Sequence, residues 1–159
     1  QDCSKKLNQL YKQNTNQDHS SLSAPAPIAK IIHQSWKNDV LPKKFADWQK
    51  TWIDSHPDWE YKLWTDADND KLCETEFPWF WERYQSFPKN INRADVARYM
   101  YMYKYGGVYA DLDVVCLQPH DPLVELGGAI VPLMRNLPFP EESWKEEHDI
   151  PNAWMASSP

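Results

Sequence analysis

The chain has 159 residues, 42% of them hydrophobic and 14% aromatic, with nine Trp. That length buries the core of one domain and not of two. A formal charge of -6 and a pI near 5.3 exclude a general nucleic-acid binder, which needs a basic face for phosphates.

Residues 1–27 are polar, rich in Asn, Gln, Ser and Lys, and end in Ala-Pro-Ala-Pro, a composition that suits a stem or linker. The first residue is not Met, so a processed chain or an excerpt of a longer one is expected. No run of about 18 apolar residues occurs, and no transmembrane span is expected in this stretch. Ile28 to Trp36 reads as a mostly apolar strand of a parallel sheet. Trp36 falls at its carboxyl end, where ligands bind in open α/β sheets, while His33 lies within the strand and reads as structural. Leu41 to Ser55 has the period of an amphipathic helix, with Phe45, Trp48 and Trp52 on one stripe that core packing explains. Trp59 to Trp64 alternates as a second strand, and Thr65 and Asp66 offer caps for a helix toward Cys73. Phe77 to Phe87 is dense in aromatics, a composition that is more often core than a lid or acceptor surface. Cys3, Cys73 and Cys116 are odd in number and lack metal-ligand spacing, so at least one thiol is unpaired within the chain.

Residues 91–117 carry the chemistry. Ile91 to Tyr105 reads as a helix capped by Asn92, with Asp95 near a capping-box position and Gly106-Gly107 closing it. Val108 to Leu117 reads as one extended run interrupted by Asp111 and Asp113. In an extended chain those two carboxylates share a face about 7 Å apart, with Leu112 on the other. Such a pair suits a hard divalent cation that bridges to a diphosphate, or else it is a solvated strand end. Asp95 and Arg98 lie three apart on the helix and add a polar pair beside the acids. Farther on, Gly127 to Pro132 reads as a short strand, and the proline- and charge-rich stretch 136–151 as a surface loop.

Arg93-Ala-Asp-Val-Ala-Arg98 followed by Tyr105-Gly-Gly-Val-Tyr-Ala-Asp-Leu-Asp113 resembles the DXD-containing sugar transferases of glycosyltransferase family 32. Ile31-Ile-His-Gln-Ser-Trp-Lys37 resembles that family's opening strand, and Pro57-Asp-Trp-Glu-Tyr-Lys-Leu-Trp-Thr-Asp66 its second strand and turn. The resemblance runs over about residues 28–122, and several motifs in order are more specific than a lone DxD. The family groups yeast-type Golgi mannosyltransferases with inositol-phosphoceramide mannosyltransferases and is related to glucosylating clostridial toxins.

The resemblance implies an α/β fold of GT-A type, a Rossmann-like nucleotide-sugar-binding sheet flanked by helices. It also implies that residues 28–159 are the N-terminal donor-binding part of a domain truncated at its C-terminus. The implied reaction is metal-dependent transfer of a hexose, with retention, from a nucleotide-sugar to a lipid or glycan acceptor. GDP-mannose is the favoured donor and UDP-hexose the other. Asp111 and Asp113 would be catalytic and hold Mn²⁺ or Mg²⁺. Trp36, Asp95, Arg98, Tyr109 and Asp111 would bind the donor, with Trp36 against the base. A location on the luminal side of the Golgi follows from the same likeness, with membrane contact only through a segment absent from this chain. Two alternatives remain at this point. One is a transferase-like module that binds nucleotide or glycan without catalysis. The other is an aspartate-based phosphatase, since Asp111-Leu-Asp-Val-Val115 fits its short signature; there, however, the strand comes first in the domain.

Overall fold

A computed structural model describes residues 25–132 and 150–159. Five strands form one sheet: β1 (Ile31–Ser35), β2 (Glu60–Trp64), β3 (Gly107–Ala110), β4 (Ala129–Ile130) and β5 (Trp154–Ser157). The order is β2-β1-β3-β5-β4. β1 pairs parallel with β2 and β3, whereas β5 pairs antiparallel with β3 and β4. The parallel sheet expected over residues 28–117 is therefore present as its first three strands, and an antiparallel pair extends it into a mixed sheet. The helices are α1 (Lys43–Ser55), α2 (Asp66–Glu76), α3 (Pro78–Gln85), α4 (Asn90–Tyr105) and the single turn α5 (Asp121–Val124).

Helices cover both faces. β3 sits at the centre, and all four of its residues are buried, as a strand packed on both sides requires. Tyr109 and Met155 face a cluster built with Trp64, Leu72, Tyr84 and Tyr101 from β2 and α2 to α4. Val108, Ala110 and Ala156 face the opposite cluster with Ile32, Trp52 and Trp59. On α1, Trp52 alone of the aromatic stripe is buried; Phe45 and Trp48 are half-exposed. The stripe is thus only partly core, because Phe45 leans out against Trp36, ring centroids 4.8 Å apart.

Thr65 caps α2 as expected, with a capping box closed by Asp68. The expected Asn92 cap is not there. α4 starts two residues earlier, with Lys89 at the cap and no side-chain bond. Asn92 lies inside the first turn, its amide bonded to the Lys89 carbonyl at 3.0 Å. Gly106 and Gly107 close the helix at positive φ of 64° and 96°. A Cβ on Gly107 would come within 2.5 Å of the Ile31 carbonyl oxygen, so here the backbone of β3 lies directly against β1. The aromatic stretch 77–87 is α3 with its flanks and packs mainly into the core, though Trp79 stays 81% exposed.

Residues 1–24 of the expected stem, and all but the end of the 136–151 loop, lie outside the described residues. Residues 25–28 lie against the segment 124–128: the Ile28 amide donates to Val124 O at 3.1 Å and the Gly128 amide to Ala26 O at 3.4 Å. Among the described residues no helix is long and apolar enough to cross a membrane.

Candidate donor-binding site

A cleft of about 350 Å³ opens where the parallel strands β1 and β3 end and α4 begins. Ligands of open α/β sheets sit at this edge, where turns leave the sheet and helix N-termini face inward. Trp36 and Lys37 come from the end of β1, Phe45 from α1, Asn90 and Arg98 from α4, and Asp111 and Asp113 from beyond β3.

The two acids converge differently from the sequence expectation. β3 stops at Ala110, and residues 111–114 form a turn in which the Val114 amide bonds the Asp111 carbonyl at 3.1 Å. The extended run to Leu117 is therefore wrong. β1 pairs with β3 only as far as Tyr109, so beyond Ala110 the chain has no parallel neighbour to follow and turns at the rim. Leu112 is buried and Asp113 exposed, so the two acids still line one cleft, through a turn and not through strand alternation.

Asp111 is the more constrained acid. Its Oδ1 accepts the Tyr109 hydroxyl at 2.6 Å and pairs with Arg98 Nη1 at 3.3 Å. Burial raises its pKa above the ordinary carboxylate value, and Asp113 and Asp95 push the same way. The Tyr109 hydrogen bond and the Arg98 charge oppose that rise.

Arg98 is buried and holds the site together. Its guanidinium pairs with Asp95 at 2.9 Å, donates to the carbonyl and side-chain oxygens of Asn152 at 2.9 and 3.1 Å, and stacks over Tyr109 at 4.8 Å. Planar guanidinium suits this many-sided role, which an ammonium would not fill. Tyr109 is almost fully buried, and burial raises the pKa of its phenol, which therefore stays protonated to donate to Asp111.

Trp36, Arg98, Tyr109, Asp111 and Asp113 thus come together at one cleft. Asp95 does not line it; it touches the site through its ion pair with Arg98 and adds its charge to the field at Asp111. The indole N–H of Trp36 is buried with no hydrogen-bond partner among the described residues, a donor left over at the cleft wall. Sequence reasoning missed Phe45, Lys37 and Asn152. Phe45 was hidden in a helical stripe, and Asn152 reaches Arg98 across 54 residues without a local signal. Lys37, a cation directly after the strand-end Trp36, was the one legible clue.

The donor set fits a hard divalent cation in part. Asp113 is exposed, and its carboxylate with the remaining oxygen of Asp111 offers the hard ligands that Mg²⁺ and Mn²⁺ prefer. One oxygen of Asp111 is already engaged, so the described residues supply few of the six ligands such an ion takes.

Residues 42–126 match the family described as the glycosyltransferase sugar-binding region containing the DXD motif. The chain belongs to this family. Within it, the chain is 54% identical over 99 residues to inositol phosphoceramide mannosyltransferase 3 of Schizosaccharomyces pombe, covering 62% of this chain and 28% of that protein. It is 32% identical over 153 residues to inositol phosphoceramide mannosyltransferase 1 of the same organism, covering 94% of this chain and 44% of that one. The chain therefore spans less than half the length of these relatives. Among solved structures, the PaToxG glycosyltransferase aligns over 97% of this chain and 63% of its own length, with a TM-score of 0.61 and 16% identity. That likeness is one of fold, and it agrees with the sheet and flanking helices described above. Membership of this family removes the phosphatase alternative.

Proposed function

We propose that this chain is the donor-binding part of a glycosyltransferase that moves a hexose from a nucleotide-sugar to a lipid acceptor. The observation that carries the reading is the single cleft with an aromatic wall, Trp36 and Phe45, at one side and Asp111 and Asp113 at the other. A nucleotide diphosphate has that same polarity, a flat apolar base joined to two phosphates. Stacking of the base on Trp36 would contribute ~1 kcal/mol.

Asp111 and Asp113 would hold Mn²⁺ or Mg²⁺, which supplies charge neutralisation to the leaving diphosphate when bound. Arg98 and Tyr109 favour the ionised form of Asp111 against its burial and fix its orientation. Lys37 lies at the cleft and brings positive charge to the phosphates. Asp95 acts on the donor through Arg98. Mannose is the favoured sugar and GDP-mannose the favoured donor, with UDP-hexose second. Two relatives are named for mannosyl transfer to inositol phosphoceramide, which supports a sphingolipid headgroup as acceptor. Retention of anomeric configuration, a Golgi-luminal location and a stem before residue 28 complete the reading. Residues completing the acceptor pocket are expected from outside this stretch.

The test is calorimetric titration of GDP and UDP into the full-length protein with and without Mn²⁺, beside Asp111→Asn and Asp113→Asn. Mn²⁺-coupled binding that both substitutions weaken, with GDP tighter than UDP, is expected. Equal, metal-independent binding in all three proteins would remove the site's catalytic assignment. A nucleotide-sugar hydrolysis screen with Mn²⁺ then identifies the donor.

A further inference from the structure

On the sheet face away from the α2–α4 cluster, a second group of donor atoms lies outside the cleft. His56, Cys116 and His120 each offer one ligand atom, all within 4.8 Å of one another. We propose that these three residues form a separate metal site for a borderline-soft cation, Zn²⁺, that fastens the segment after Asp113 to the end of α1.

The protonation pattern points there. His56 Nδ1 lies 2.8 Å from the Trp52 carbonyl oxygen, an acceptor only, so Nδ1 carries the proton and Nε2 has a bare lone pair. That lone pair faces the His120 backbone N–H at 2.9 Å and His120 Nδ1 at 3.1 Å. One lone pair therefore meets two nitrogens. If His120 Nδ1 is unprotonated, two lone pairs oppose each other; if protonated, two donors compete for one acceptor. A cation between the two ring nitrogens resolves the conflict. Zn–N bonds of about 2.0–2.1 Å in a tetrahedron separate two nitrogens by roughly 3.3 Å, close to the spacing present. A carbonyl that fixes the tautomer of a ligating imidazole is the usual outer-shell support.

The surroundings suit a closed site. His56 and Cys116 are buried, and His120 is half-buried. Trp52 stacks on His120 at 5.0 Å, Trp154 stacks on it at 5.8 Å, and Trp59 lies 4.7 Å from His56. A thiol with two imidazoles favours Zn²⁺ over Mg²⁺ or Mn²⁺, so this site and the acids at the cleft do not compete for one ion. On binding, the Cys116 thiol releases its proton to solvent and the thiolate bonds the metal. The thiol's contact to the Gln118 carbonyl oxygen at 3.2 Å is given up, as is the His120 amide bond to His56. The segment is already tied to α1 by Trp52 Nε1 donating to Val114 O at 2.7 Å and the Cys116 amide donating to Thr51 Oγ1 at 3.0 Å. The metal adds a third tie and restrains the turn that carries Asp111 and Asp113.

The inference is independent of the donor reading, because its readouts need no nucleotide. The full-length protein, purified without chelator, is desalted and its zinc measured; Co²⁺ is then titrated into stripped protein. About one Zn²⁺ per chain is expected, with a thiolate-to-Co²⁺ charge-transfer band in the near ultraviolet. Cys116→Ser and His120→Gln weaken Zn²⁺ binding by roughly 100-fold or more, and the first abolishes the band. Cys3→Ser, Cys73→Ser and Asp111→Asn leave both readouts intact, which separates this site from other thiols and from the acids. Should Cys116→Ser not fold, the half-exposed His120 makes His120→Gln the deciding variant. No retained zinc and no thiolate band would mean a hydrogen-bonded histidine pair only, and a band that persists in His120→Gln with unchanged affinity would equally overturn the proposal.

Discussion

The two ends of β3 are built on opposite rules. At its start, Gly106 and Gly107 bring bare backbone against β1 and the residues at and after the end of β5, where a Cβ would collide with Ile31, Ser157 or Pro159. His33 seals this end: Trp64 Nε1 donates to its Nδ1 at 3.0 Å, so its Nε2–H donates to the Gly106 carbonyl at 2.9 Å. At its finish, four residues later, the strand delivers two carboxylates to an open cleft and holds one of them with a buried guanidinium. The close-packed end fixes the strand in space. The open end carries charges that repel each other, Asp113 against Asp111.

The largest effect is expected from breaking the closed end. Gly107→Val places a β-branched side chain at φ 96° and 2.5 Å from a carbonyl oxygen. Strain and overpacking together cost about 3–5 kcal/mol, read as a lowered urea midpoint. A loss below about 1 kcal/mol would mean β1 and β3 are farther apart than described.

Protonating the seal comes next. Burial, with a smaller contribution from Lys62, lowers the His33 pKa to about 4 against the Gly106 hydrogen bond. The unfolded chain takes up that proton first, near pH 6.5. Stability from this group is full above 6.5, is lost progressively as pH falls from 6.5 to about 4, and changes no further below that, on the order of 3 kcal/mol in all. His33→Gln should flatten the stability slope between pH 6.5 and 5; an unchanged slope would acquit His33.

At the open end, Arg98→Met removes the cation from Asp111, Asp95 and Asn152. Because Asp111 and Asp95 are 30% and 42% exposed, about 2–3 kcal/mol is expected, less than for a fully buried pair. Asp111→Asn in the same chain should recover part of it, and simple additivity in denaturation would show that the two do not interact. Asp113→Asn is expected to change stability by no more than about 0.5 kcal/mol, since the side chain is exposed, while lowering Mn²⁺-dependent nucleotide affinity about tenfold. A large stability change would assign Asp113 a structural role.

Much of this architecture was legible in local patterns. The Thr65 cap, the Gly106-Gly107 stop and the three parallel strands follow from residue chemistry and period. Local rules failed where long-range pairing decided. The Asp-Leu-Asp run reads as strand from its apolar flanks, yet β1 pairs no farther than Tyr109, and the run turns. The Asn92 cap failed because the chain enters α4 directly after an extended Lys89. Asp111 and Asp113 stood out by type and spacing and Trp36 by its strand-end position, whereas Arg98 and Tyr109 entered as donor-binding residues only through the family resemblance; all five line one cleft. No spacing rule indicates that Asp95 stands behind Arg98 or that Asn152 completes the grip on it.

That grip has a consequence for how the cleft comes into being. β1, α1 and β2, and likewise α4 and β3, join by short connections, so their contacts form early and at small entropic cost. β5 closes a much longer loop, and only its arrival gives Arg98 its Asn152 partner and the Asp111 amide its acceptor, Ala153 O at 2.8 Å. Fraying of β5 back through residues 152–153 is expected to release both ties together, and the exchange rate of the Asp111 amide hydrogen measures it.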